Sequence, residues 1–90
     1  MLKIKYTSRF KKDYKTIVKR GVNTELFFRV LEYLVHEKPL PKKHLDHPLL
    51  GSYEGFRECH ITSNWLLIYR IEKDAITLTL TRMGTHNDLF

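Results

Sequence analysis

The chain has one cysteine, Cys59, so no internal disulfide can staple it. It also lacks a Cys-x-x-Cys pair and a His-Glu-x-x-His helix, the commoner zinc frameworks. Its longest apolar runs are a few residues, far short of the roughly 20 that cross a bilayer. No apolar segment follows the basic start as a signal peptide requires, and the cytoplasm is the expected compartment. Glycine is sparse, and neither a glycine-rich phosphate loop nor a Gly-x-Ser-x-Gly elbow is present, so nucleotide hydrolysis and serine chemistry have no machinery. Acidic residues are scarce too. Ten Asp and Glu stand against sixteen Lys and Arg, a net charge of +6 that favours polyanionic partners. The imbalance is steepest over residues 1–22, where Lys3, Lys5, Arg9, Lys11, Lys12, Lys15, Lys19 and Arg20 face only Asp13.

What is present is a packed globule. With 42% hydrophobic and 12% aromatic residues the composition excludes disorder, and 90 residues support one core and one domain, residues 1–90. Leu2, Ile4 and Tyr6 alternate with Lys3 and Lys5, which predicts a strand over 2–6. Thr7 or Ser8 can cap a helix whose inner face is Phe10, Tyr14, Ile17 and Val18, ending at Gly21. Asn23 or Thr24 can cap a second helix, with an apolar stripe from Leu26 to Val35, running to about Lys38 before Pro39. The short link predicts an antiparallel helical hairpin.

A proline-marked irregular stretch, 39–54, precedes three strand patterns at 56–61, 65–71 and 75–83, close enough to pair as an antiparallel meander. Residues 65–69 are apolar on both faces and belong at the centre, covered on each side. Ile76, Leu78 and Leu80 should point inward, with Thr77, Thr79 and Thr81 on a half-solvated face. The fold class is therefore α+β: an N-terminal strand, a helix hairpin and a three-stranded meander, giving four strands with helices on one face.

Three histidines stand at or near element ends: His47 in the irregular stretch, His60 in the first meander strand and His86 after Gly84. Imidazole alone exchanges protons near neutral pH without help, and on a cationic protein that points to RNA. RNA is cut without metal when one group takes the 2'-hydroxyl proton, a cation steadies the phosphorane and another group protonates the leaving 5'-oxygen. Arg57 and Arg82 are candidate phosphate partners, and Trp65 and Phe90 are candidate platforms for a splayed base. Alternation places His60 outward, with Phe56 and Glu58, and Arg57 on the side of Cys59 and Ile61. The competing readings are a surface histidine at 60, core packing for Trp65, a frayed terminus for Phe90 and a solvated helix face for Arg9 to Arg20. A zinc site around His44, His47, Cys59 and His60 is a further alternative.

The segments Asp46-His47-Pro48-Leu49-Leu50-Gly51, Phe56-Arg57-Glu58-Cys59-His60-Ile61, Trp65-Leu66-Leu67-Ile68-Tyr69 and Arg82-Met83-Gly84-Thr85-His86, closing on Leu89-Phe90, resemble the YafQ-type toxins of the RelE/ParE superfamily across essentially the whole chain. The resemblance implies a RelE-like fold and a ribosome-dependent endoribonuclease that cuts mRNA in the decoding site, without metal or other cofactor. It implies an antitoxin encoded beside it and a toxin that is monomeric alone and heteromeric with that antitoxin. It places His47, His60 and His86 on the catalytic histidines, Trp65 on an active-site tryptophan, Arg82 on a phosphate contact and Phe90 on the terminal aromatic. Arg9, Lys11, Lys12, Lys15 and Lys19 would meet ribosomal RNA. Asn64 departs from the pattern, which has aspartate there; a neutral amide can orient a group but cannot exchange its proton. A binder of the same fold, without chemistry or directed at gyrase, is the alternative.

Overall fold

The computed structural model describes residues 1–90. In chain order the elements are β1 (Lys3–Tyr6), α1 (Ser8–Lys19), α2 (Thr24–Val35), β2 (His47–Pro48), β3 (Arg57–Thr62), β4 (Trp65–Glu72), β5 (Thr77–Gly84) and α3 (His86–Leu89). The five strands lie in the order β1-β5-β4-β3-β2. β1 runs parallel to β5, and the remaining neighbours are antiparallel. The expected α+β architecture and meander are there, with five strands rather than four. The extra strand, β2, is two residues long and includes Pro48, which has no N–H, so no period-2 pattern could announce it.

Local chemistry sets the helix ends. Thr7 caps α1 by accepting the Phe10 N–H, and Asn23 caps α2 by accepting the Glu25 N–H. α2 stops at Val35, short of the expected Lys38. Glu37 takes a left-handed φ of 55°, and the N–H groups of Glu37 and Lys38 return to the carbonyls of Leu34 and Tyr33. That is a Schellman end, closing the helix before Pro39 intervenes.

α1 and α2 meet through Phe10, Tyr14 and Phe27 and seal one face of the sheet over Cys59, Ile61, Trp65, Leu67, Tyr69, Leu78 and Leu80. The other face carries a smaller cluster, Leu66, Ile68 and Leu89, flanked by Leu49, Tyr53 and Phe56 from the irregular stretch. Residues 65–69 are therefore buried on both faces, as their composition requires. Ile76 does not point inward: it sits in the β4–β5 turn at φ 52° and is exposed, and β5 begins at Thr77.

Candidate active site

β3 divides its side chains between the two faces. Cys59 and Ile61 enter the helix-side core, while Glu58 and His60 turn to the other face. Glu58 is only 7% exposed. Its Oε1 stands 3.6 Å from His60 Nε2 and 3.8 Å from His47 Nε2. β2 brings His47 there, because His47 is the residue paired opposite Glu58. His47 Nδ1 donates to the Leu45 carbonyl at 2.6 Å, which leaves Nε2 as the free ring nitrogen on the side of the carboxylate.

The segment before His47 is pinned from behind. Asp46 accepts hydrogen bonds from the Tyr69 hydroxyl at 2.6 Å and from Arg57 Nε at 3.2 Å. Burial, joined by the bond to Asp46, pushes the Tyr69 phenol above its ordinary range, so it stays a donor. His44, in a short 3-10 turn, donates from Nδ1 to the His60 carbonyl at 2.7 Å, where the register of β3 shifts between His60 and Thr62. Cys59, beside these groups in sequence, faces the core, and burial holds its thiol protonated and inert.

Next to this cluster opens a cleft of about 540 Å³ lined by Glu58, His60, Ser63, Asn64, Leu66, Thr85, His86 and Asn87. Its far wall is α3. Thr85 and Asp88 form a capping box, each side chain bonded to the other's backbone N–H. Asp88 is also gripped by Arg20 from the end of α1, at 2.7 and 3.2 Å, and that guanidinium holds the carboxyl well below the usual carboxylate range. His86 lies 5.1 Å from the Phe90 ring, centroid to centroid, and Tyr53 meets Phe90 edge-on at 5.9 Å. The cleft thus offers two imidazoles and two amides, with a third imidazole just beyond the buried carboxylate.

Four positions read as RNA contacts are placed differently from one another. Phe90 is 55% exposed beside His86. Trp65 is 3% exposed in the core under the helices, so its ring offers no face for a base. Arg57 is on the side of the sheet away from the cleft, paired with Asp46. Arg82 stands opposite Ile68, but its guanidinium is taken by Asp13 at 2.8 and 3.1 Å, and its side chain is only 13% exposed. Arg9, Lys11, Lys12, Lys15 and Lys19 are all exposed. Glu58 itself is the residue that sequence reasoning passed over: its shared parity with His60 was the available signal, and its burial was not visible. α3 was missed as well, although Thr85-x-x-Asp88 is a capping-box spacing.

A family model described as the bacterial toxin of type II toxin–antitoxin systems, YafQ, matches residues 2–90. The mRNA interferase toxin YafQ of Escherichia coli K12 is 35% identical over 88 residues, 97% of this chain and 94% of the relative. A metal-bound toxin from Helicobacter pylori superposes with a TM-score of 0.94 at 44% identity, covering 100% of both chains. The YafQ chain of the E. coli DinJ–YafQ complex superposes with a TM-score of 0.91 at 34% identity, covering 100% of this chain and 99% of that one. With a fold, a histidine-lined cleft and a full-length sequence match all in agreement, this chain belongs to the YafQ family of type II toxin–antitoxin toxins.

Proposed function

We propose that this protein is an mRNA interferase, an endoribonuclease toxin that cuts mRNA on the ribosome in the cytoplasm and is silenced by an antitoxin encoded beside it. The observation that carries this reading is the meeting of His60 and His86 on one cleft, with His47 reaching the same buried Glu58 carboxylate. One neutral imidazole takes the proton of the 2'-hydroxyl, and the 2'-oxygen attacks phosphorus. A second, protonated imidazole gives its proton to the departing 5'-oxygen, leaving a 2',3'-cyclic phosphate and a 5'-hydroxyl. Glu58 supplies the negative charge that steadies whichever imidazole becomes cationic. His47 is suited to accept a proton, since Nδ1–H is committed to Leu45 and Nε2 is free. Asn64 orients a group in the cleft and serves neither as acid nor as base.

The exposed cations Arg9, Lys11, Lys12, Lys15 and Lys19 grip ribosomal RNA, and an acidic or amphipathic antitoxin segment covers that cationic surface. Phe90 stacks on a base; Arg82 reaches the phosphate once Asp13 yields it. The test is incubation of purified protein with programmed ribosomes and mapping of the cut ends, for wild type and His86→Ala. Cuts ending in 2',3'-cyclic phosphate, lost in the variant, are expected. Growth arrest with intact mRNA would favour a toxin that acts by binding alone.

A further inference from the structure

The basic helix α1 is tied to the cleft by its own inner face. Asp13, Thr16, Ile17 and Arg20 follow at i, i+3, i+4 and i+7, so they share one side of the helix. Asp13 holds the end of β5, accepting from Arg82 and from the Met83 N–H. Two turns later Arg20 holds Asp88 of α3, and the two ion pairs line one cavity of about 180 Å³. The polarity is reversed between them: an acid of α1 grips a base of the strand, and a base at the helix end grips an acid of α3.

Asp88 is unusually placed to transmit that grip. Its Oδ2 accepts from both Arg20 and the Thr85 N–H, at 2.7 and 2.9 Å. The carboxylate folds over Gly84, where a Cβ would come within 2.9 Å of that same oxygen. A helix of four residues cannot sustain itself. α3 otherwise has its cap, Leu89 buried against Leu66 and Ile68, and the edge-on contact of Tyr53 with Phe90 to fix the orientation of His86 and Phe90. The side chains of Arg20 and Asp88 are 43% and 32% exposed, so their pair contributes little to global stability. Its consequence is orientation.

We propose that Arg20 is a positioning residue for RNA cleavage: through Asp88 it fixes the α3 turn so that His86 faces the cleft. The proposal rests on the reading of His86 as a proton carrier. It links the helix that meets polyanions to the turn that carries the chemistry.

The experiment measures kcat and KM for mRNA cleavage on programmed ribosomes, with NMR of the His86 and Phe90 rings in the free protein, for wild type, Arg20→Gln, Arg20→Lys and Asp88→Asn. The side-chain amide in Asp88→Asn can still accept from the Thr85 N–H, so the cap survives while the charge pair is lost. Arg20→Gln and Asp88→Asn should each lower kcat by about three- to tenfold, with shifted or broadened His86 and Phe90 signals, and Arg20→Lys should retain part of the wild-type rate. KM should not rise in Asp88→Asn, because removing an anion does not weaken RNA binding. Wild-type kcat in Asp88→Asn, or His86 signals unchanged in both Arg20→Gln and Asp88→Asn, would overturn the proposal. Wild-type cleavage by His86→Ala would instead bring down the reading on which it rests.

Discussion

The two faces of the sheet contrast in what they leave open. Under α1 and α2, Cys59, Leu67, Tyr69, Leu78 and Leu80 are closed to solvent, and the Tyr69 hydroxyl reaches its partner only at the rim. On the opposite face Leu66, Ile68 and Leu89 make a small cluster, and beside it Glu58 and His60 look into a polar cleft. β3 and β4 serve both. Glu58 and His60 therefore stand on a strand whose reverse side is packed, which gives them precise geometry without closing the site.

The comparison breaks first if stability and chemistry fail together. His60→Ala should lower mRNA cleavage by about 100-fold or more while its denaturant midpoint hardly moves. Leu78→Ala, on the sealed face, should cost about 2–5 kcal/mol of unfolding free energy and still cleave normally per folded molecule. Denaturant curves and cleavage rates on both variants check this; a large stability loss in His60→Ala would mean that the faces are not separable.

Glu58 sharpens the same contrast, since it is a buried charge on the open face. Its nearest ring nitrogens are 3.6 and 3.8 Å away, beyond hydrogen-bond length, so its desolvation is only partly offset. Glu58→Gln keeps the shape and removes the charge. Cleavage should fall by about tenfold or more as an imidazolium loses its counter-charge, while stability stays level or rises. A less stable variant would mark Glu58 as structural instead.

Much of this division could be read from residue order, and the rest failed for identifiable reasons. The alternation of β1, the caps Thr7 and Asn23, the meander and the outward side of His60 all follow from local periodicity and capping, which are properties of neighbours in sequence. β2 and α3 are too short to show a period. Arg57 and Arg82 looked free because Asp46 and Asp13 lie 11 and 69 residues away, a pairing that only the fold creates. The burial of Glu58 depends likewise on the chain outside β3.

Asn64 tests the open face more gently. It lines the cleft from the β3–β4 turn, at a place where the resemblance to YafQ-type toxins implies an aspartate. A carboxylate at this place would hold a neighbouring imidazolium and could itself exchange a proton, so Asn64→Asp should raise cleavage of ribosome-bound mRNA by about two- to fivefold. An equal or lower rate would show that the three histidines and Glu58 already suffice.

The smallest expected effect falls on Trp65, immediately after Asn64 yet on the sealed side. Both its aromatic face and the family resemblance set it among the active-site residues, whereas its ring is packed beneath the helices and its Nε1 is buried without a hydrogen-bond partner. Trp65→Phe removes that unpaired donor, a gain, and some apolar contact, a loss; the two terms oppose each other at about 1–3 kcal/mol each. Cleavage by folded protein should stay within about twofold of wild type, because no base can reach the indole face. A loss as large as that of His60→Ala, at unchanged stability, would mean that the ring leaves the core during the reaction, and the two faces would then not be independent.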